Sequence, residues 1–136
     1  MKKLLLILLA SSVTSVYASE LKSFDEIYNS LQEGNNIRMV INFDKCSPPP
    51  HVDNMLIYTT PTAVMMRKDY LQFANSPLTT NNPDYPKQPI LQNVTYKMTN
   101  ANEMTIVTRM FKLPDYNLVY EANSVCELGT GVRIFN

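Results

Sequence analysis

Two cysteines, one histidine and a scatter of carboxylates are the side chains of this 136-residue chain that could do chemistry beyond packing. Cys46 and Cys126 stand 80 positions apart. A redox centre usually holds its thiols two residues apart at a helix start, and this spacing does not provide that. Zinc wants about four ligands, whereas the only other soft donor is His51, in a loop behind Pro48-Pro49-Pro50 with no cysteine or serine beside it. There is no G-x-S-x-G elbow, P-loop or H-E-x-x-H helix. Gly34, Gly129 and Gly131 are too few and too scattered to cradle a phosphate. Asp44, Asp53, Asp69, Asp84, Asp115, Glu121 and Glu127 could converge as an acid–base pair only if one were buried with a raised pKa. Solvation accounts for each of them equally well. The residues assign no catalytic, cofactor or metal site, and a non-enzymatic protein is the expectation.

The cysteines make better sense as a bridge, and the first residues say where it would form. Lys2 and Lys3 precede an apolar run, Leu4 to Ala10, and small and hydroxylated residues lead to Val16-Tyr17-Ala18. That order of charge, apolar core and small residues is a cleavable secretory signal. It predicts a leader over residues 1–18, cut after Ala18, and one domain over 19–136. The run falls far short of the roughly 20 residues that cross a bilayer, and no later segment is apolar enough to span one. The mature chain is expected to be periplasmic or secreted. An even cysteine count in an exported chain reads as one disulfide, Cys46–Cys126. Closing so long a loop removes roughly 4 to 5 kcal/mol of unfolded-state freedom in the chain-entropy model. Losing Lys2 and Lys3 leaves 10 basic against 12 acidic residues, a net charge near −2. That balance excludes an electrostatic grip on nucleic acid and a polybasic membrane contact.

The elements that would carry these residues are legible from periodicity. Ser23-Phe24-Asp25-Glu26 is a capping box, Phe24, Ile27, Tyr28 and Leu31 form one apolar stripe, and Gly34 suits a helix end. From Ile37 the period becomes two: Ile37, Met39, Ile41 and Phe43 alternate with polar residues in a strand ending at Cys46. Further strands are predicted at Met55–Thr59, Ala63–Met66 and Tyr70–Ala74. Asn75 to Pro89, polar and proline-rich, reads as a surface loop. A hairpin follows, with Val94, Tyr96 and Met98 before the turn Asn100-Ala101-Asn102 and Thr105–Lys112 after it. Tyr116, Leu118, Tyr120 and Ala122 alternate in another strand, and Val132–Phe135 is the last. One helix and seven or eight strands imply an α+β domain, mainly antiparallel β, barrel-like or sandwich, with the N-terminal helix packed on it.

The apolar inventory is rich in Met39, Met55, Met65, Met66, Met98, Met104 and Met110, with Tyr58, Tyr70, Tyr96, Tyr116 and Tyr120. Core packing explains these residues, and so does a barrel interior holding a small apolar ligand. In the adjacent pairs Met65-Met66 and Ile106-Val107 one member should face away from the core, as a second layer or a partner surface.

The segments SFDEIYNSLQEG, INFDKC, FANSPLTT, QNVTYKMTNANEMTIVTRMFKLPDYNLV and CELGTGVRIF resemble the VirK family, small exported proteins first named from a virulence regulon tied to type IV secretion. The likeness runs from Leu21 to Asn136. It implies an envelope or secreted protein associated with virulence or host interaction, with an envelope or host protein as partner. It implies no established activity, ligand or catalytic residue.

Overall fold

The structure, a computed structural model, describes residues 18–49 and 54–136. The expected leader, apart from Ala18, and the candidates His51 and Asp53 lie outside these residues. Chain order is β1 (Glu20–Leu21), α1 (Phe24–Gln32), β2 (Arg38–Asn42), β3 (Leu56–Thr59), β4 (Ala63–Met66), β5 (Tyr70–Asn75), β6 (Leu78–Thr79), β7 (Ile90–Thr99), β8 (Glu103–Lys112), β9 (Asn117–Glu127) and β10 (Val132–Phe135).

Local chemistry sets the limits of α1. Ser23 Oγ accepts the Glu26 amide at 3.2 Å, while the Glu26 carboxylate reaches one residue past the cap to the Lys22 amide at 2.6 Å. At the other end the Gly34 amide donates to Leu31 C=O and the Asn35 amide to Ser30 C=O. This Schellman closure requires the left-handed backbone that Gly34 supplies at φ +84°. Phe24, Ile27 and Ser30 form the buried face. The helix is tied to the turn between β7 and β8 and to Asn136 after β10. Phe24 N–H donates to Asn102 Oδ1 at 2.7 Å, and Asn136 Nδ2 donates to Ser30 Oγ at 3.4 Å.

The strands form two antiparallel sheets, a small one in the order β1-β10-β2-β3 and a large one in the order β4-β5-β7-β8-β9, with β6 also on β7. Among the described residues no ladder joins one sheet to the other; the sheets do not close into a barrel and form a sandwich-like pair. Alternation puts Met39, Ile41, Val132 and Ile134 on the inner face of the small sheet. Leu71, Phe73, Tyr96, Met98, Met104 and Ile106 oppose them from the large one, and all ten are buried. Tyr96 is the polar member of this layer. Burial pushes its pKa up, against hydrogen bonds with Asn75 and Thr59 that favour the anion. Asn75 completes the knot by donating to Thr59 Oγ1 and accepting the Thr62 amide.

Several sequence expectations need correction. The strand after Ile37 ends at Asn42 rather than Cys46; Phe43–Lys45 is a 3-10 turn, capped where the Asn42 side chain accepts the Asp44 amide. The proline-rich loop contains β6, which prolongs the β5 side of β7 after a break at Ser76-Pro77. Tyr116 is not in a strand but in the β8–β9 turn at φ +54°. Leu118 and Tyr120 do not share a face: the register shifts between Met110 and Phe111, so Tyr120 opposes Met110 and Leu118 opposes Phe111. The bulge leaves Val119 unpaired and reverses the alternation that the sequence displays. In the adjacent pairs, Ile106 and Met66 pack on the core while Met65 is 40% exposed.

Candidate functional site

The two sheets differ in length, and that mismatch makes the site. Strands β7, β8 and β9 of the large sheet run 10, 10 and 11 residues, against 5 and 4 for β2 and β10. Cross-strand pairing orders the inner face of the large sheet in rows. Met98, Met104 and Cys126 form the first; Tyr96, Ile106 and Ser124 the second; Val94, Thr108 and Ala122 the third; Gln92, Met110 and Tyr120 the fourth. The small sheet and α1 cover the first rows. The later ones overhang it and line a cleft of about 380 Å³, closed from the other side by Phe43, Met55 and Ile57.

Its mouth belongs to the loop before β7. Asn82 Oδ1 accepts the Asp84 amide at 2.9 Å, a tight turn that presents Asp84 and Tyr85 over the cleft. Tyr85 Oη then donates to Val119 C=O, the carbonyl at the bulge, at 3.2 Å. The bulge thus serves twice, turning Tyr120 inward and offering an anchor to the loop that covers it. The lining is mostly methionine, isoleucine and aromatic surface. Its polar groups are Gln92, Thr108, Ser124, the two tyrosine hydroxyls and the Asp84 carboxylate. Ser124 is already engaged, its Oγ donating to Pro48 C=O at 2.9 Å.

Cys46 and Cys126 are bonded, with Cα atoms 4.4 Å apart. The bond lies at the flank of the cleft rather than in it. Next to it Ser47 and Val125 exchange two backbone hydrogen bonds of 2.8 Å, so the segment after β2 covers part of the β9 edge. Gly131 closes the same corner. A Cβ there would stand 3.1 Å from Cys126 Cβ, 3.1 Å from Cys46 Sγ and 3.2 Å from Lys45 C=O.

Of the carboxylates named from sequence that fall among the described residues, Asp84 alone lines the cleft. Asp44 and Glu127 border a shallower groove together with Glu103 and Lys45, where Asp44 accepts the Asn54 amide at 3.0 Å. Glu121 is paired with Arg109 on the outer face of the large sheet, Asp69 lies in the β4–β5 turn and Asp115 in the β8–β9 turn. Among the described residues no group of three His, Cys, Asp or Glu side chains is placed to hold a metal ion, and no helix is long and apolar enough to cross a membrane. Tyr85, Gln92 and Thr108 are site residues that sequence reasoning missed. An aromatic residue inside an otherwise polar proline-rich loop was the available signal for Tyr85; the other two carried none.

Fold and site together define an open antiparallel sandwich with one capping helix, a disulfide at its flank and an apolar cleft at its uncovered end. The family model described as VirK protein matches residues 20–116, and the chain belongs to the VirK family. The crystal structure of a VirK family protein from Legionella pneumophila is similar, with a TM-score of 0.79 and 24% identity over 86% of this chain and 98% of that one. At that identity the likeness speaks for the fold. A search of curated proteins gives no match.

Proposed function

We propose that this VirK family chain is an exported, non-enzymatic binding protein that takes a small apolar ligand in the cleft between its sheets. The observation that carries this reading is the cleft itself: about 380 Å³ lined by Phe43, Met55, Ile57, Ile106 and Met110. That size falls within the range of small-molecule sites, which are mostly apolar with a few polar groups. At roughly 30 Å³ per water-sized group it has room for about a dozen non-hydrogen atoms. Methionine suits such a wall because its unbranched thioether adapts to the shape of what it meets. Export is supported by the leader-like first residues and by a disulfide, which persists in oxidising compartments. A role in virulence or host interaction, with an envelope or host protein as partner, is what the family resemblance implies.

Decan-1-ol, with a neutral head and a chain of fitting size, tests the reading by isothermal titration calorimetry. One saturable site per chain is expected, weakened at least tenfold in Ala122→Phe, whose ring would occupy the cleft. An unchanged thermal midpoint and circular dichroism spectrum for that variant would show that its fold is kept. A wild-type protein with no saturable decan-1-ol binding would refute the proposal.

A further inference from the structure

The electrostatics of the cleft mouth narrow the ligand further, on the assumption that the cleft binds at all. Among the described residues the lining contains one ionisable carboxyl group, Asp84, and no lysine, arginine or histidine. The basic residues nearest the lining along the chain are Arg109, between Thr108 and Met110 but paired with Glu121 on the outer face, Lys45, which borders the other groove, and Lys87, in the same loop as Asp84; none of them lines the cleft. The apolar wall lies at the closed side, where Phe43 and Ile106 are buried, whereas Asp84 is exposed at the opening. A ligand that fills the wall with its apolar body therefore brings its head to Asp84. From this we infer that the cleft selects amphiphiles with a cationic or neutral, hydrogen-bond-donating head and disfavours carboxylate heads such as those of fatty acids.

The chemistry is simple complementarity. An ammonium head can donate to the Asp84 carboxylate, with further acceptors at the Gln92 side-chain carbonyl and the Tyr120 hydroxyl. A hydroxyl head can donate to the same groups without the charge term. A carboxylate head brings a second negative charge to Asp84, and among the described residues no side chain of the lining can neutralise it. Ion pairs at exposed positions are individually modest, so the discrimination expected between ammonium and carboxylate heads is roughly fivefold in Kd at low salt. It should shrink as salt screens the mouth.

The test uses three ligands of one chain length, decylamine, decan-1-ol and sodium decanoate, below their micellar concentrations. Each is titrated calorimetrically into the full mature chain, into Asp84→Asn and into Asp84→Lys. Asp84 is an exposed loop residue whose turn is held through its backbone amide by Asn82, so both substitutions leave that turn intact. The expected order for the wild type is decylamine, then decan-1-ol, then decanoate. The difference should collapse to within about twofold in Asp84→Asn and reverse in Asp84→Lys. Binding of all three with equal affinity, or tightest binding of decanoate, would overturn the head-group inference while leaving the apolar cleft in place. Failure of every ligand to bind would instead remove the cleft reading on which it rests.

Discussion

Asn102 joins three parts of the fold, and substituting it separates two contributions that are usually confounded. Its side chain caps the first helical amide, Phe24 N–H, at 2.7 Å across 78 residues of sequence. Its own backbone sits at φ +60° in the β7–β8 turn, where its amide donates to Thr99 C=O and its carbonyl accepts from Leu128 N–H. Asn102→Gly keeps the backbone conformation at no steric cost but loses the cap, about 1 kcal/mol. Asn102→Ala loses the cap and also leaves at φ +60° a residue without the short polar side chain that lets asparagine adopt the left-handed region, about 1 kcal/mol more. Asn102→Asp retains an acceptor and adds a charge that the positive end of the helix favours. The expected stability order is therefore Asp close to Asn, then Gly, then Ala, with the alanine variant about 2 kcal/mol below the native chain. For a domain of this size that is roughly 8 °C in thermal midpoint. Calorimetry or urea titration at pH 7 would measure it. An alanine variant as stable as the native chain would refute the argument, and so would a glycine variant clearly weaker than the alanine one.

The remaining predictions concern stability away from the cap. Cys46→Ser/Cys126→Ser should lower stability by up to about 4 to 5 kcal/mol, the unfolded-state freedom that closing so long a loop removes, with urea unfolding as the measurement. Gly131→Ala places a methyl against the disulfide and the Lys45 carbonyl, which should cost about 1 to 3 kcal/mol as overpacking; equilibrium unfolding of the oxidised protein would read it. Tyr96 has its folded pKa raised, by burial first. The native state then holds this proton more tightly than the unfolded chain does, so its contribution is complete below the unfolded value near pH 10. It is lost as pH climbs through the higher folded value. Stability should fall above about pH 10, less steeply in Tyr96→Phe, as followed by urea titrations at a series of pH values.

Most of the fold could be read from the chain because its signals were local. Ser23, Glu26 and Gly34 bracket the helix through contacts within four residues, and period-two alternation marks β2, β7 and β8 on its own. The errors arose where distance or irregularity decided. The bulge at Val119 exchanges faces within β9, so the alternation of Leu118 and Tyr120 pointed to a shared face that does not exist. Leu78-Thr79 is a strand only because β7 runs far enough to pair with it. The choice between barrel and sandwich depends on which edges hydrogen-bond, which no periodicity encodes. The cleft was hidden for a related reason. Its wall was visible as a methionine and tyrosine surplus, but its existence depends on one sheet outreaching the other, and its mouth on Tyr85 finding a carbonyl 34 residues away.

The flanks of the sandwich carry one more consequence. On one side the cystine and the Ser47–Val125 pair stitch the chain leaving β2 to the margin of β9. On the other, β3 passes into β4 through Thr60-Pro61-Thr62 alone, with the Thr62 amide held by Ala74. Two layers sewn along both seams have their spacing fixed by covalent and backbone links. The remaining wall of the cleft is the loop that carries Tyr85, fastened to β9 where the tyrosine hydroxyl rests on the Val119 carbonyl.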